Sequence, residues 1–265
     1  MRAPRVAELV ADHLRGQILS GQLADGSLLR PQESLIREFG VSRAAMRDAM
    51  RILEGEGLIT VQRGSRGGAV VHCPEGHTAA YGVGLVLEAR STTVADVGEA
   101  LRMLEADCAA LCARRPDRAT AVVPLLESCN ERSRERLDDP LPYTRAMADF
   151  HNALSASCGN STFSVVAGAV EAIWLAHVHD WADRITRLDH FPDREYRAAG
   201  LERHEQLTAL IAAGDADGAA QLAAEHFDPT QFYVEPHEPD APISAAPLRD
   251  HEAAATDDRH PQRHH

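Results

Sequence analysis

Arg43, Arg47 and Arg51 recur at intervals of four residues. On a helix that spacing stacks them on one face. Arginine forks on a helix face can take the edges of guanine in the major groove, and a serine just before the first of them, Ser42, can offer its hydroxyl and the free N–H groups of a helix N-terminus to a phosphate. The same stripe also suits a solvated helix face, and Asp48 is placed to partner Arg47 or Arg51. Arg63 and Arg66 flank Gly64 in the run Arg63–Gly68, where they could reach the DNA backbone or the minor groove. A second set is made of histidines. His204 lies ten residues before Gly214 and His226 twelve after it, so a helical hairpin turning at Gly214 would bring the two level. His151 stands earlier, beside Phe150 and Leu154. Three imidazoles converging inside a helical bundle suit a divalent transition metal such as zinc or nickel. Each histidine taken alone is more often a core residue satisfied by hydrogen bonds.

The elements that must hold the arginines follow from apolar spacing and punctuation. Val6, Leu9, Val10, Leu14 and Ile18 keep a helical period over 3–20, which ends at Gly21 and Gly26. Leu35 to Phe39 form a short second helix stopped by Gly40. Ser42 caps a third helix that runs through Met46, Met50 and Leu53 to Glu56, with Gly57 after it. Two extended runs, 58–62 and 69–72, are joined by the glycine-rich turn and predict a hairpin. Helix, helix, turn, helix, hairpin is the order of a winged helix-turn-helix, with the arginine stripe on the recognition helix.

The histidines belong to a different region. From Val94 to Phe227 the chain reads as six helices, near 94–115, 117–137, 141–157, 161–185, 193–213 and 215–227, punctuated by Pro116, Pro140, Gly159 and Gly214. Short loops between them predict an all-α antiparallel bundle. The fold class is therefore mainly α: an N-terminal winged helix-turn-helix with a small β-hairpin wing, then the bundle. The expected organisation is a DNA-binding domain at 1–73, a linker at 74–93, a helical domain at 94–228 and a disordered tail at 229–265, rich in Pro, Asp, His and Ala.

Charge divides the same way. The 265 residues carry a net charge of -13. Residues 1–72 hold ten arginines and eight acids, while 73–265 hold seventeen arginines and 32 acids. The slightly positive head suits nucleic acid, and the acidic body would be repelled by it. All 27 basic residues are arginine. Five cysteines at irregular spacing argue for a reducing, cytoplasmic setting, and Cys108 and Cys112 read as small buried residues. No apolar run approaches the ~20 residues of a membrane helix, and the charged opening MRAPRVAELV is unlike a secretory signal.

The stretches Pro31-Gln32-Glu33-Ser34-Leu35, Gly40-Val41-Ser42-Arg43 through Met46-Arg47-Asp48-Ala49-Met50-Arg51, and Leu53 to Ile59 resemble the DNA-binding domain of GntR-family repressors. The resemblance implies that Ser42, Arg43 and Arg47 contact an operator, with Gly64 at the wing tip. Arg30 departs from a usual proline, and Glu33 from a frequent DNA-contacting arginine, whose contact would be lost or shifted to Arg30 or Arg37. The bundle resembles the FCD effector domain of the FadR-like branch of that family, through Leu101 to Glu105, Phe150-His151-Asn152-Ala153-Leu154, Glu202-Arg203-His204, Ile211 to Asp215 and Glu225-His226. That resemblance implies a metal on His151, His204 and His226, with an aspartate one turn before the first; here that position is Met147. It also implies that Arg102 receives a carboxylate, the other reading of Arg102 being a salt bridge to Glu105 or another acid of the bundle.

The expected function is a ligand-responsive transcriptional regulator, more often a repressor. It would be a homodimer on a palindromic operator, released by a small organic acid, fatty acid or acyl-CoA bound near Arg102, His151, His204 and His226. Two other classes stand beside it. A metal-dependent enzyme would need a general base or nucleophile, and Ser155 and Ser157 read as ordinary helix-end serines. A non-sensing DNA-binding module would have a helical domain packed solid.

Overall fold

The computed structural model describes residues 5–62, 68–74, 76–187, 191–226, 240–246 and 248. The chain forms two compact units, which divide between Thr78 and Ala79.

In the first unit, α1 (Val6–Leu19), α2 (Gln32–Phe39) and α3 (Arg43–Gly55) precede β1 (Ile59–Val61) and β2 (Ala69–Val71). The strands pair antiparallel with Ile59 opposite Val71 and Val61 opposite Ala69. Local chemistry sets the boundaries of α3. Gly40 takes a left-handed conformation (φ 63°) that ends α2, and Ser42 Oγ accepts from the Ala45 N–H at 3.1 Å. Val10, Leu14, Ile18, Leu35, Met46 and Leu53 are buried together with Ile59 and Val71, so three helices and the hairpin share one core. The Arg15 guanidinium donates to both oxygens of Glu56, at 2.8 and 2.6 Å, and ties α1 to the end of α3. One feature goes beyond the sequence reading: residues 26–29 add an edge to the hairpin, with Leu29 N donating to Ala69 O at 2.8 Å and Gly26 N to Val71 O at 2.9 Å.

In the second unit, α4 (Gly76–Ala89), which begins just before the division, leads into α5 (Val94–Arg114), α6 (Arg118–Ala121), α7 (Val123–Glu135), α8 (Pro140–Ala156), α9 (Ser161–Arg187), α10 (Arg194–Ala213) and α11 (Ala216–His226). Helix α5 is central and packs on α8, α9, α10 and α11. Thr93 and Asp193 cap α5 and α10 by accepting the Asp96 and Tyr196 N–H groups. Gly214 adopts φ 76° and ends α10, which lets α11 fold back along it. The helix expected over 117–137 is broken at Val122, because Pro124 has no N–H to donate and its ring crowds the preceding turn.

Three expectations from sequence need correction. The stretch read as a linker contains α4. The segment read as wholly disordered is packed over 240–246 and at 248: Val94 N donates to Ala241 O and Ile243 N to Thr92 O, each at 3.0 Å, and Ala245 N donates to Glu88 Oε2 at 2.7 Å. Ile243, Ala245 and Leu248 are buried with Leu101, Trp174 and Ile185. Finally, α9 is 27 residues long with a window of mean hydropathy 1.4, long and apolar enough by composition to cross a membrane. It is instead a core helix: Ala167, Ile173, Trp174, Trp181 and Ile185 are buried against the bundle, and so is the carboxyl of Glu171.

Candidate functional site

The candidate nucleic-acid face is the exposed side of α3. Met46, Ala49 and Leu53 anchor the buried side, which leaves Arg43, Arg47 and Arg51 outward. Arg43 is 81% exposed and lies 3.1 Å from the Glu33 carboxylate at the start of α2. Arg51 lies 3.9 Å from Asp48. Among the described residues, Arg47 makes no ion pair, so its fork is available to a ligand. The Glu33 carboxylate thus holds an arginine of α3. Arg30 pairs with Glu38 at 2.6 Å, and Arg37 reaches Ser34 Oγ at 3.4 Å. Arg63, Gly64 and Arg66 lie outside the described residues.

In the helical unit, the left-handed turn at Gly214 does bring His204 and His226 level: their Nε2 atoms are 2.8 Å apart. His151 comes from α8, and one ligand nitrogen from each of the three rings lies within 4.8 Å of the others. All three side chains are buried. Burial, followed by the charges of His226 and His151, pushes the pKa of His204 well down. Burial, then His151 and Arg203, pushes His226 down to about 3. These imidazoles therefore stay neutral, the form that ligates a metal. His151 Nδ1 lies 2.8 Å from Glu105 Oε1 and 2.9 Å from Oε2, inside the core. A carboxylate on one ring nitrogen directs the other toward a shared centre, as it does behind most metal-bound histidines. His204 is held differently, stacked on Phe150 with ring centroids 3.9 Å apart. Donor type and spacing thus fit a divalent transition metal on His151, His204 and His226.

Beside the trio is a cavity of about 240 Å³. Its walls are mainly apolar and aromatic, with Trp174 and Trp181 from α9, Tyr143 from α8 and Phe191 before α10. His151 and His226 open onto it. Met147, one turn before His151 on α8, gives this wall a thioether and not a carboxylate. A Cβ at Gly200 on α10 would sit 3.2 Å from the Tyr143 hydroxyl, so glycine there leaves that hydroxyl its room. That hydroxyl donates to Arg197 O at 2.6 Å.

Arg102 is not brought to the cavity. It donates to both oxygens of Glu99, at 3.0 and 2.7 Å, one turn earlier on α5. One residue beyond Leu101 is a rotation of about 100° on a helix, enough to take the side chain off the wall that Leu101 and Glu105 line. The arginines that do line it are Arg197 and Arg203. Arg197 donates to Leu137 O and Pro192 O, while Arg203 forms no ion pair among the described residues. Its sequence signal was adjacency to His204. Two further polar residues were missed. Glu171, 1% exposed, lines the cavity from the apolar face of α9, and Ser155, read as a helix-end serine, is buried and donates to Glu171 Oε2 at 3.2 Å. Their signal was a carboxyl one turn from Trp174 in an otherwise apolar stripe. His177 and His179 do not line the cavity, and His237, His251 and His260 lie outside the described residues. Asp149 faces away, toward Arg132 at 3.5 Å.

A small head with a free arginine on a capped helix, and a bundle that pairs buried histidines with a cavity, match two known domains. Residues 6–71 match the family described as bacterial regulatory proteins, gntR family, and residues 96–229 match the FCD domain. The chain belongs to the GntR family of transcriptional regulators, in its FCD-containing branch. The regulator is 26% identical to the HTH-type transcriptional repressor NanR of Citrobacter rodentium over 84% of this chain and 83% of that one. It is 28% identical to the Uxu operon regulator of Haemophilus influenzae, over 81% and 76%. The solved structure of Streptococcus agalactiae GntR superposes with a TM-score of 0.60 at 21% identity, over 83% of the regulator and 96% of that chain, and shares its fold. These relatives are regulators of transcription and not enzymes.

Proposed function

We propose that the regulator represses transcription as a homodimer. In this reading α3 of each copy enters the major groove of a palindromic operator, with Ser42 on a phosphate, Arg43, Arg47 and Arg51 along the groove, and the wing arginines Arg63 and Arg66 beside Gly64 on the backbone. A small organic acid in the helical cavity weakens that binding. The observation that carries the reading is the cavity itself. It is walled by aromatic side chains, reached by two arginines from α10 and bordered by two buried histidines, His151 and His226. A non-sensing module would have filled this space with side chains, since an empty interior forfeits packing. Its volume suits a small carboxylate better than a fatty acid or an acyl-CoA. Arg203 takes the carboxylate role expected of Arg102, because an arginine without an ion pair can form a bidentate contact. His151, His204 and His226 would hold a zinc or nickel ion, which supplies a Lewis-acidic point for a carboxylate oxygen. Repression and not activation is supported by the relative named as a repressor.

The test pairs two measurements on the full chain. Thermal melting is recorded against a panel of small carboxylates, with and without chelator, and mobility shifts on operator DNA are recorded with the compounds that bind. A compound that raises the melting temperature should lower operator affinity, and operator should lower the compound's affinity by the same factor. Stabilising compounds that leave operator affinity unchanged would overturn the reading.

A further inference from the structure

The metal reading leaves one group of the cavity unused. Glu171 is buried to 1% exposure, yet its Oε1 has no hydrogen-bond partner among the described residues, while Oε2 accepts from Ser155. An unsatisfied buried carboxyl oxygen is costly, and it faces a space sized for a ligand. A plain carboxylate bound at the arginine side would leave that oxygen as it is.

We propose that Glu171, aimed by Ser155, reads an ammonium group, and that the effector is an amino carboxylate whose acid end lies toward Arg203. The inference rests on the reading of this cavity as the effector site. Three observations favour an ammonium over a neutral donor. A second carboxyl, Glu105, lines the same cavity, and burial, with Glu105 beside it, pushes the Glu171 pKa well up, a shift that a bound cation opposes. Trp174 lies one helical turn from Glu171 on the same lining face, and an indole face attracts a cation. The opposite sign gathers on α10, where Arg203 makes no ion pair among the described residues and its charge is felt at His226. A cavity with acids on one side and arginines on the other complements a zwitterion and penalises ligands that carry only one of its charges.

Matched pairs test this on the full-length protein by calorimetric titration: phenylalanine against hydrocinnamate, norleucine against hexanoate, and gamma-aminobutyrate against butyrate. At least one amino carboxylate should bind roughly tenfold or more tightly than its partner, and Glu171→Gln should erase that preference. Should Glu171→Gln fail to fold, Ser155→Ala, which removes the contact aiming the carboxyl, should narrow the preference. Plain acids that bind as tightly as their amino partners, or a preference that survives both substitutions, would overturn the ammonium assignment while leaving the cavity as a carboxylate site. Absence of binding by every compound would overturn that broader reading too.

Discussion

The Nδ1 atom of His151 lies 2.8 Å from Oε1 of Glu105, and both side chains are buried. The pair joins α8 to α5 and fixes which ring nitrogen faces His204 and His226. Removing the carboxylate frees the ring to rotate and to change tautomer, so Glu105→Gln should weaken metal affinity by about ten- to a hundredfold. Competition with a chromophoric chelator measures it, and an unchanged affinity would show that Glu105 has no part in a metal site.

His226 supplies a pH dependence with a definite sign. Its pKa is held down to about 3 by burial, with His151 and Arg203 adding to the effect. In the unfolded chain an imidazole titrates near ~6.5. Between these values the unfolded chain binds a proton that the folded domain refuses, so this contribution to stability is full above the upper value and is lost as pH falls toward the lower one. His204, shifted the same way, adds to the slope. The metal-free protein should melt at progressively lower temperature on acidification through this window, and His226→Gln should flatten the trend. A melting temperature independent of pH there would contradict the burial argument.

Arg47 is the recognition-helix arginine without an ion pair among the described residues. Arg47→Ala should cost about 1–3 kcal/mol of operator affinity and blur discrimination between operator and random DNA in a mobility-shift titration. Equal loss on both sequences would make it a phosphate contact.

Glu33 places a negative charge beside Arg43, 3.1 Å away on an open surface. The pair itself adds little stability in water. On DNA, however, the carboxylate opposes the phosphates and competes for the guanidinium. Glu33→Gln should strengthen operator binding several-fold at low salt, with the gain shrinking as salt rises. No change in a salt series would mean that Arg43 and Glu33 stay clear of the backbone.

Ile243, in the segment 240–246, packs into the same core as Trp174 and Ile185. Ile243→Ala should cost about 2–5 kcal/mol in denaturant unfolding, as for other buried aliphatics. A cost near zero would mean that the segment leaves the core in solution.

Much of the fold was legible because its determinants are local. The Ser42 cap, the left-handed Gly40 and Gly214, and the apolar periods of α1, α3, α5 and α10 each act within a turn or two of chain. The level placement of His204 and His226 followed for the same reason, since one glycine turn sets it. The placement of Arg102 depended on something else. Whether a side chain next to Leu101 enters a cavity turns on helix rotation, and only the packing of α5 against four other helices fixes that. Glu171 and Ser155 were illegible because a polar residue in an apolar stripe declares its role only when its partner, from another helix, is known. The segment 240–246 carries no period of its own; the groove that buries Ile243 and Leu248 is made by α4, α5 and α9. Sequence alone, then, determined most of the helices, the order of the winged head and the helical bundle, and the histidine hairpin, whose causes lie within a few residues. Tertiary structure decided which charged groups face the cavity, because that choice is made by contacts between residues far apart in the chain.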